Sequence, residues 1–454
     1  MIEERFPETK TAQPELVAHH FTEAGRPAEA LEYWHRAAAQ AADRCAGREA
    51  LAHVGRGLAV LATAPDSPAR FAHEIELTLL RGWALSVLMG FAAPEVAATY
   101  ARALELCRQL GDAPQVIKVA PVLFGVYIAT ANFPAAREMA DQLRRVGEQE
   151  GGRMTLIQAW FSIGAHAFYV GDLDGALGAM RRAVEFAEGF DRPPWQTLDA
   201  KVTALGWGAL SLMLLGFPDE ALRWARAGRE CAEELRHPHS IAFARHFVQL
   251  VHFWREEPAE ALAGMEEFLA FCQEQGFGYW IPPAMMIAAW ARGTLAPDET
   301  ALDALRQSVA LWQRTGADVA GPQHFAMLAE LAGKLGRFDE AFAAIATGRD
   351  FVRRTGELAY APWLADLEGA LWQQRAPADF PRVEACFREA LALARRCGAR
   401  WHELRAALSL ARLLHHLGRS PEARSELAPV AAWFTEGAAL RPLREARALL
   451  AELG

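Results

Sequence analysis

Residues Gly216–Leu222 read GFPDEAL, and the phrase returns as GRPAEAL at Gly25–Leu31, GDLDGAL at Gly171–Leu177, EEPAEAL at Glu256–Leu262, GRFDEAF at Gly336–Phe342 and GRSPEAR at Gly418–Arg424. Each copy places a small or turn residue five positions before an alanine that opens a second apolar run, the pattern of a helix–turn–helix unit. Looser copies surround Gly90, Ala131, Ala296 and the longer loop Ala376–Pro381. With the turn slot at Gly90, Ala131, Gly171, Gly216, Glu256, Ala296, Gly336 and Gly418, the steps are 41, 40, 45, 40, 40, 40 and 82, the last being two units. A spacing near 40 kept over this length predicts stacked helical hairpins, each burying its apolar face on its neighbours.

Turn chemistry agrees. Pro27, Pro134, Pro218, Pro258, Pro297 and Pro421 fall where a second helix would begin, a position that tolerates a missing N–H. Gly147, Gly356 and Gly398 follow the arginine pairs Arg144–Arg145, Arg353–Arg354 and Arg395–Arg396, as left-handed C-caps preceded by cations that complement the helix dipole. Within units, Ala341, Ile345 and Gly348, then Ala261, Met265 and Phe268, then Ala30, Trp34 and Ala37 form an i, i+4, i+7 stripe that predicts one buried face. Strand patterns are nearly absent. The expected fold is all-α, a right-handed α-solenoid of about ten to eleven helix–turn–helix units with a period of about 40 residues. Breaks at Ala62–Arg70, Glu188–Gln196, Arg236–Ser240 and Gln373–Pro381 read as longer connections within it.

Composition sets outer limits. The 454 residues are 52% apolar, 23% charged and 10% aromatic, which excludes a disordered or collagen-like chain. Uncharged apolar stretches such as Val119–Ala131 and Leu205–Phe217 fall short of a bilayer span, and the first twenty residues carry Glu3, Glu4, Glu8 and Glu15 in place of a signal-peptide core. A cytoplasmic protein without membrane contact is expected. The net charge of −9 argues against direct nucleic-acid binding through the overall field. The six cysteines form no CxxC pair and read as buried, reduced residues.

Catalytic signatures are missing. Gly333-Lys334-Leu335-Gly336 lacks the hydroxyl residue of a phosphate loop, and neither His73-Glu74 nor His402-Glu403 continues to a second metal-ligating histidine. Histidines gather at His19-His20, at His237, His239, His246 and His252, and at His415-His416, without cysteine or carboxylate partners at ligand spacing, so no metal and no cofactor is expected. The remaining constellation is aromatic. In the repeat register, the first helices would turn Phe161, Phe168, Tyr169, Leu210, Met213, Phe243, His246, Phe253, Trp254, Met286 and Trp290 toward the inner curve. Either these side chains pack between hairpins, or several stay exposed on one concave surface that receives an amphipathic segment or an apolar ligand. In the second case, Phe253 and Trp254 could be truncated together without unfolding the chain.

Turn glycine, following alanine and later aliphatic residue at Gly336, Ala341 and Ile345 resemble the tetratricopeptide repeat, although the spacing exceeds its 34 residues. Three longer stretches, Ile2–Arg44, His237–Glu256 and Cys386–Gly437, resemble the tetratricopeptide-like C-terminal arm of bacterial multidomain signalling proteins. In that family a class III adenylate or guanylate cyclase domain, or another output domain, precedes an AAA-type or signal-transducing P-loop ATPase, and the arm follows. The resemblance implies a non-catalytic sensor or regulatory scaffold that binds a protein partner or small ligand. The family's catalytic aspartates and phosphate loop lie upstream of the matching stretch, so no residue here inherits a catalytic role. Residues 1–70 are then the N-terminal repeats and junction to a missing ATPase module, and residues 71–454 the continuous solenoid. An alternative is a cyclase or ATPase fragment whose nucleotide chemistry lies in that missing region. A third reading, the arm of a transcriptional regulator, has no basic recognition helix to support it.

Overall fold

The structure, a computed structural model, describes residues 12–110, 113–190 and 198–454. The first eleven residues of the expected 1–70 segment, and most of the proline-bearing break before Leu198, lie outside them. Among the described residues there are 22 α-helices, one short 3-10 turn at Gly278–Trp280, and no strand. In chain order they are α1 (Pro14–Glu23), α2 (Pro27–Asp43), α3 (Gly47–Leu61), α4 (Pro68–Met89), α5 (Pro94–Leu110), α6 (Ala113–Ala129), α7 (Phe133–Glu150), α8 (Arg153–Tyr169), α9 (Leu173–Ala187), α10 (Ala200–Leu215) and α11 (Pro218–Leu235). They continue as α12 (Pro238–Trp254), α13 (Pro258–Gln275), α14 (Ile281–Leu295), α15 (Glu299–Arg314), α16 (Gly321–Lys334), α17 (Phe338–Thr355), α18 (Ala361–Arg375), α19 (Phe380–Cys397), α20 (Arg400–His416), α21 (Ser420–Trp433) and α22 (Arg441–Glu452).

Each helix packs on the next; α2 also packs on α4, and every even-numbered helix from α6 to α20 packs on the next even one. The even helices therefore form the inner layer and the odd helices the outer layer of an all-α solenoid. The stripe residues Ala341, Ile345, Ala261, Met265, Phe268, Ala30, Trp34 and Ala37 are all buried. Between the two helices of a hairpin the chain reverses through a left-handed residue: Gly216 at φ 93° and Gly171 at φ 85°, but also Ala131 and Glu256. Glycine takes this conformation without a steric penalty, which explains why it dominates the turn slot. Ala296 departs from the pattern, with φ −145°.

Two local readings change. Helix α2 belongs to the inner layer, so GRPAEAL opens an inner helix, half a unit out of register with the other copies. Cys45–Leu51, CAGREAL, occupies the turn slot there, with Cys45 at φ 57°. Gly147 does not cap α7, which runs on to Glu150 and ends at left-handed Gly151. A Cβ at Gly147 would stand 2.9 Å from Leu156 Cδ2, so that glycine serves the close approach of α8. Gly356 and Gly398 are left-handed caps after their arginine pairs.

The solenoid also closes on itself. The Ala129 carbonyl accepts hydrogen bonds from the Asp318 and Val319 N–H groups, and the Tyr169 carbonyl accepts from Leu358 and Ala359. Further along, Glu436 Oε1 accepts from the Asp219 and Glu220 N–H groups at the start of α11, and Asp219 Oδ2 accepts from Gly437 N–H. Glu256 pairs with Arg441 and Arg405. At the other end, Cys45 Sγ lies 3.5 Å from His237 Nε2, and Tyr279 meets Phe91 edge-on. Hairpin turns thus rest on the connections roughly one superhelical turn later, and α10 packs directly on α20. An open solenoid exposes a broad concave face. Here that face is wound into an interior.

Candidate ligand cavity inside the solenoid

Winding the inner helices tightly turns their aromatic side chains on one another. Phe243 stacks on Phe247 at 4.2 Å between ring centres, and Trp207 meets Phe168 and Phe247 edge-on at 5.3 Å each. Further along, Phe253 lies 4.4 Å from Trp290 and 4.9 Å from Trp254. The Trp254 ring stacks parallel to Tyr360 at 5.6 Å. In this second group the packing is solid.

In the first group it leaves a cavity of about 270 Å³, lined by residues of α6, α8, α10, α12, α14, α15 and α16 and of the connections between helices, Thr315, Val319 and Tyr360 among them. Several of these also carry the closure between superhelical turns. Ala129 and Val319 share one of its hydrogen bonds, and Tyr169 belongs to the other. The cavity therefore spans both turns.

The lining chemistry is uniform. Among the described residues no Asp, Glu, Lys or Arg lines the cavity. Polar groups come from Gln158, Thr203, His246, Trp280, Thr315, Gln323 and His324, beside the tyrosines. Thr203 and Thr315 donate their hydroxyls to the Ala200 and Trp312 carbonyls. His246, Trp280 and His324 are each 7% exposed, and His246 Nδ1, Trp280 Nε1 and His324 Nδ1 have no protein hydrogen-bond partner. Burial in apolar surroundings disfavours the imidazolium and pulls both histidines down to about 3, His246 adding to the effect on His324. Both rings are neutral at physiological pH. Among the described residues no group of three or more His, Cys, Asp or Glu is placed to hold a metal ion.

The eleven inner-curve residues divide into six and five. Phe161, Tyr169, Phe243, His246 and Met286 line the cavity, with Leu210 beside them. Phe168, Met213, Phe253, Trp254 and Trp290 do not, and the last three belong to the solid group. Across these positions Phe161 is half-buried and the other ten are at most 7% exposed. Tight winding is the physical reason, since it presses inner-face rings against rings from the next turn. Phe253 and Trp254 are therefore core residues, and their joint truncation is a test of stability.

Sequence reading missed Trp207, Phe247, Trp280, Gln323 and His324. A signal for some of them was present. Thr203, Phe243, Pro283 and Gln323 stand at steps of 40, as do Trp207, Phe247, Ile287 and Met327, and all eight line the cavity. Applying the turn spacing to Phe243, then moving one helical turn along, finds both rows. Tyr279, Trp280 and Tyr360 lie outside this grid because they come from connections between helices.

Solved structures share this architecture at low identity. A Rap protein complexed with Competence and Sporulation Factor matches with TM-score 0.56 and 14% identity, covering 84% of this chain and 100% of its own. A chain of the APC/C hetero-tetramer Cut9-Hcn1 matches at 0.54 and 14%, covering 98% and 90%. The Rap conjugation gene regulator of the plasmid pLS20, in complex with the Phr* peptide, matches at 0.50 and 12%, covering 86% and 97%. The chain is a tetratricopeptide-like α-solenoid. No family model and no curated protein matches it in sequence. No helix among the described residues is long and apolar enough to cross a membrane.

Proposed function

We propose that this chain is a non-catalytic binding solenoid, the sensor or regulatory arm of a bacterial signalling ATPase or nucleotidyl cyclase that works in the cytoplasm. The observation that carries the reading is the interior cavity whose walls come from two superhelical turns. A partner segment or ligand seated there touches both turns only while the solenoid is wound. Binding then favours the wound shape over a looser one, because unequal affinity for two shapes is what shifts an equilibrium. Two of the solved solenoids of similar fold hold a signalling factor or a peptide, which supports a binding role for this one.

Residues 1–70 form the proposed docking end for the ATPase or cyclase module. There α1, α2 and α3 frame a groove lined by Leu16, Trp34 and Val60 with Arg26 and Arg56 at its edge, and Leu16 is 47% exposed. End units of a solenoid lack a neighbour on one side and are its least stable part.

Immobilised full-length chain, exposed to cell extract and to the products of neighbouring genes, tests the reading. Saturable capture of one partner that small-angle scattering links to a change in chain dimensions is the expected result. Turnover of nucleotide by the isolated chain, or no binder in native conditions, overturns it. Coding sequence for a cyclase–ATPase immediately upstream, in frame or frameshifted, would favour the alternative of a fragment whose chemistry lies elsewhere.

A further inference from the structure

The cavity itself selects its occupant. Its volume of about 270 Å³ lies just below the range usual for ligand pockets, roughly 300 to 1,000 Å³. At about 30 Å³ per water it has room for roughly nine, or for a ligand of about ten to fifteen non-hydrogen atoms. A carboxylate, phosphate or ammonium group placed inside would lose its hydration and meet no opposite charge among the described lining residues, a large desolvation cost. The histidines do not offset it, because both remain neutral. An extended peptide fits no better, since every residue brings an N–H and a C=O that need partners. The wall offers too few.

The rings of Trp207, Phe247, Trp312 and Tyr279 line the cavity and instead suit a flat ring, which gains by edge-on or offset contact. The His246 ring lies 5.2 Å from Trp280, and His324 lies 4.5 Å from Trp312. These side chains carry three buried polar atoms without protein partners.

We propose that the cavity binds an uncharged aromatic or heteroaromatic small molecule, packed among the rings of Trp207, Phe247 and Tyr279. The proposal rests on the binding role argued above and narrows it to a chemical class.

Matched pairs of small aromatic probes test it on the full-length chain, each pair differing only in charge, such as indole-3-acetamide against indole-3-acetate and benzamide against benzoate. Binding is read by saturation-transfer NMR and by thermal shift at pH 7.5. Neutral members are expected to bind at least about tenfold more tightly than their anionic counterparts and to compete with one another. Val122→Phe, which fills the cavity from a half-buried position, is expected to abolish binding while leaving the helical circular dichroism unchanged. Equal binding of neutral and anionic members, unchanged binding to Val122→Phe in a folded chain, or no neutral probe binding at millimolar concentration each overturns the proposal. Capture of a partner protein from extract by a chain that binds none of the probes leaves the scaffold role standing and removes only this ligand class.

Discussion

Tyr169 and Leu358 stand 189 positions apart and are joined by a main-chain hydrogen bond of 2.8 Å, the Leu358 N–H donating to the Tyr169 carbonyl. Ala129 and Asp318, also 189 positions apart, repeat the contact at 2.9 Å. These bonds close the interior, and the cavity lies beside them.

Gly171 tests the closure. A Cβ there would stand 2.8 Å from Cys397 Sγ and 3.0 Å from Leu358 Cβ, on top of a φ of 85°. Gly336 has φ 72° and no neighbour within 4 Å of the same position. Gly336→Ala is expected to cost about 1 kcal/mol from backbone strain alone. Gly171→Ala adds overpacking between turns, about 1–3 kcal/mol more. Urea denaturation measures the difference, and scattering should show an expanded chain only for Gly171→Ala. Equal losses would mean that the contact between turns contributes little.

Trp254 is 1% exposed and packs against Phe253, Tyr360, Trp363 and His402. Trp254→Ala is expected to lower unfolding free energy by about 3–5 kcal/mol, through lost burial and the cavity left behind. If chemical denaturation finds a loss below about 1 kcal/mol, the inner helices are not packed as described.

Low pH should weaken the fold through histidine. His246, His324 and His402 are all drawn down to about 3 by burial, with Arg405 adding to the effect on His402. Above the ordinary value of 6.5 neither state binds these protons. As pH falls from 6.5 toward 3, the unfolded chain takes them up and the folded chain does not, so stability is lost progressively, by about 1.4 kcal/mol per unit per histidine. Denaturation midpoints at pH 7.5, 6 and 5 measure the slope. His402→Leu should reduce it, leaving the share of His246 and His324.

Glu357 has the opposite sign. It is fully buried, its Oε2 accepts from the Ala320 N–H, and Oε1 has no partner. Burial first, then the neighbouring Asp318 charge, holds its carboxyl well above the usual range, against the Ala320 hydrogen bond. The folded state therefore keeps a proton that the unfolded state releases above about pH 4.3, and stability falls as pH rises through that window. Glu357→Gln keeps an acceptor for Ala320 without the charge. It should stabilise the chain by about 1–3 kcal/mol at pH 8 and converge with the parent protein near pH 4. A destabilised variant at pH 8 would show that the carboxylate is solvated or paired.

Much of this architecture was legible at particular residues. Gly216 and Gly336 marked hairpin turns because a left-handed reversal favours glycine, and Ala341, Ile345 and Ala261, Met265 marked buried stripes because a helix repeats its face at these intervals. The register near Gly25 was misread, since the same phrase can open an inner or an outer helix. Six of the eleven inner-curve residues line the cavity. Phe253 and Trp254 did not, because the spacing that places a ring on the inner face is silent about what stands opposite it.

The sequence by itself determined a stack of helical hairpins, since turn conformation and face periodicity act over a few residues and leave local marks. Only the tertiary structure decided how tightly the stack winds. That winding joins Tyr169 to Leu358 and sets Phe161, Trp207, His246 and His324 around one uncharged space. The physical reason is accumulation: a small rotation from each hairpin to the next, fixed by packing across their whole interfaces, adds up over a superhelical turn to bring distant residues together.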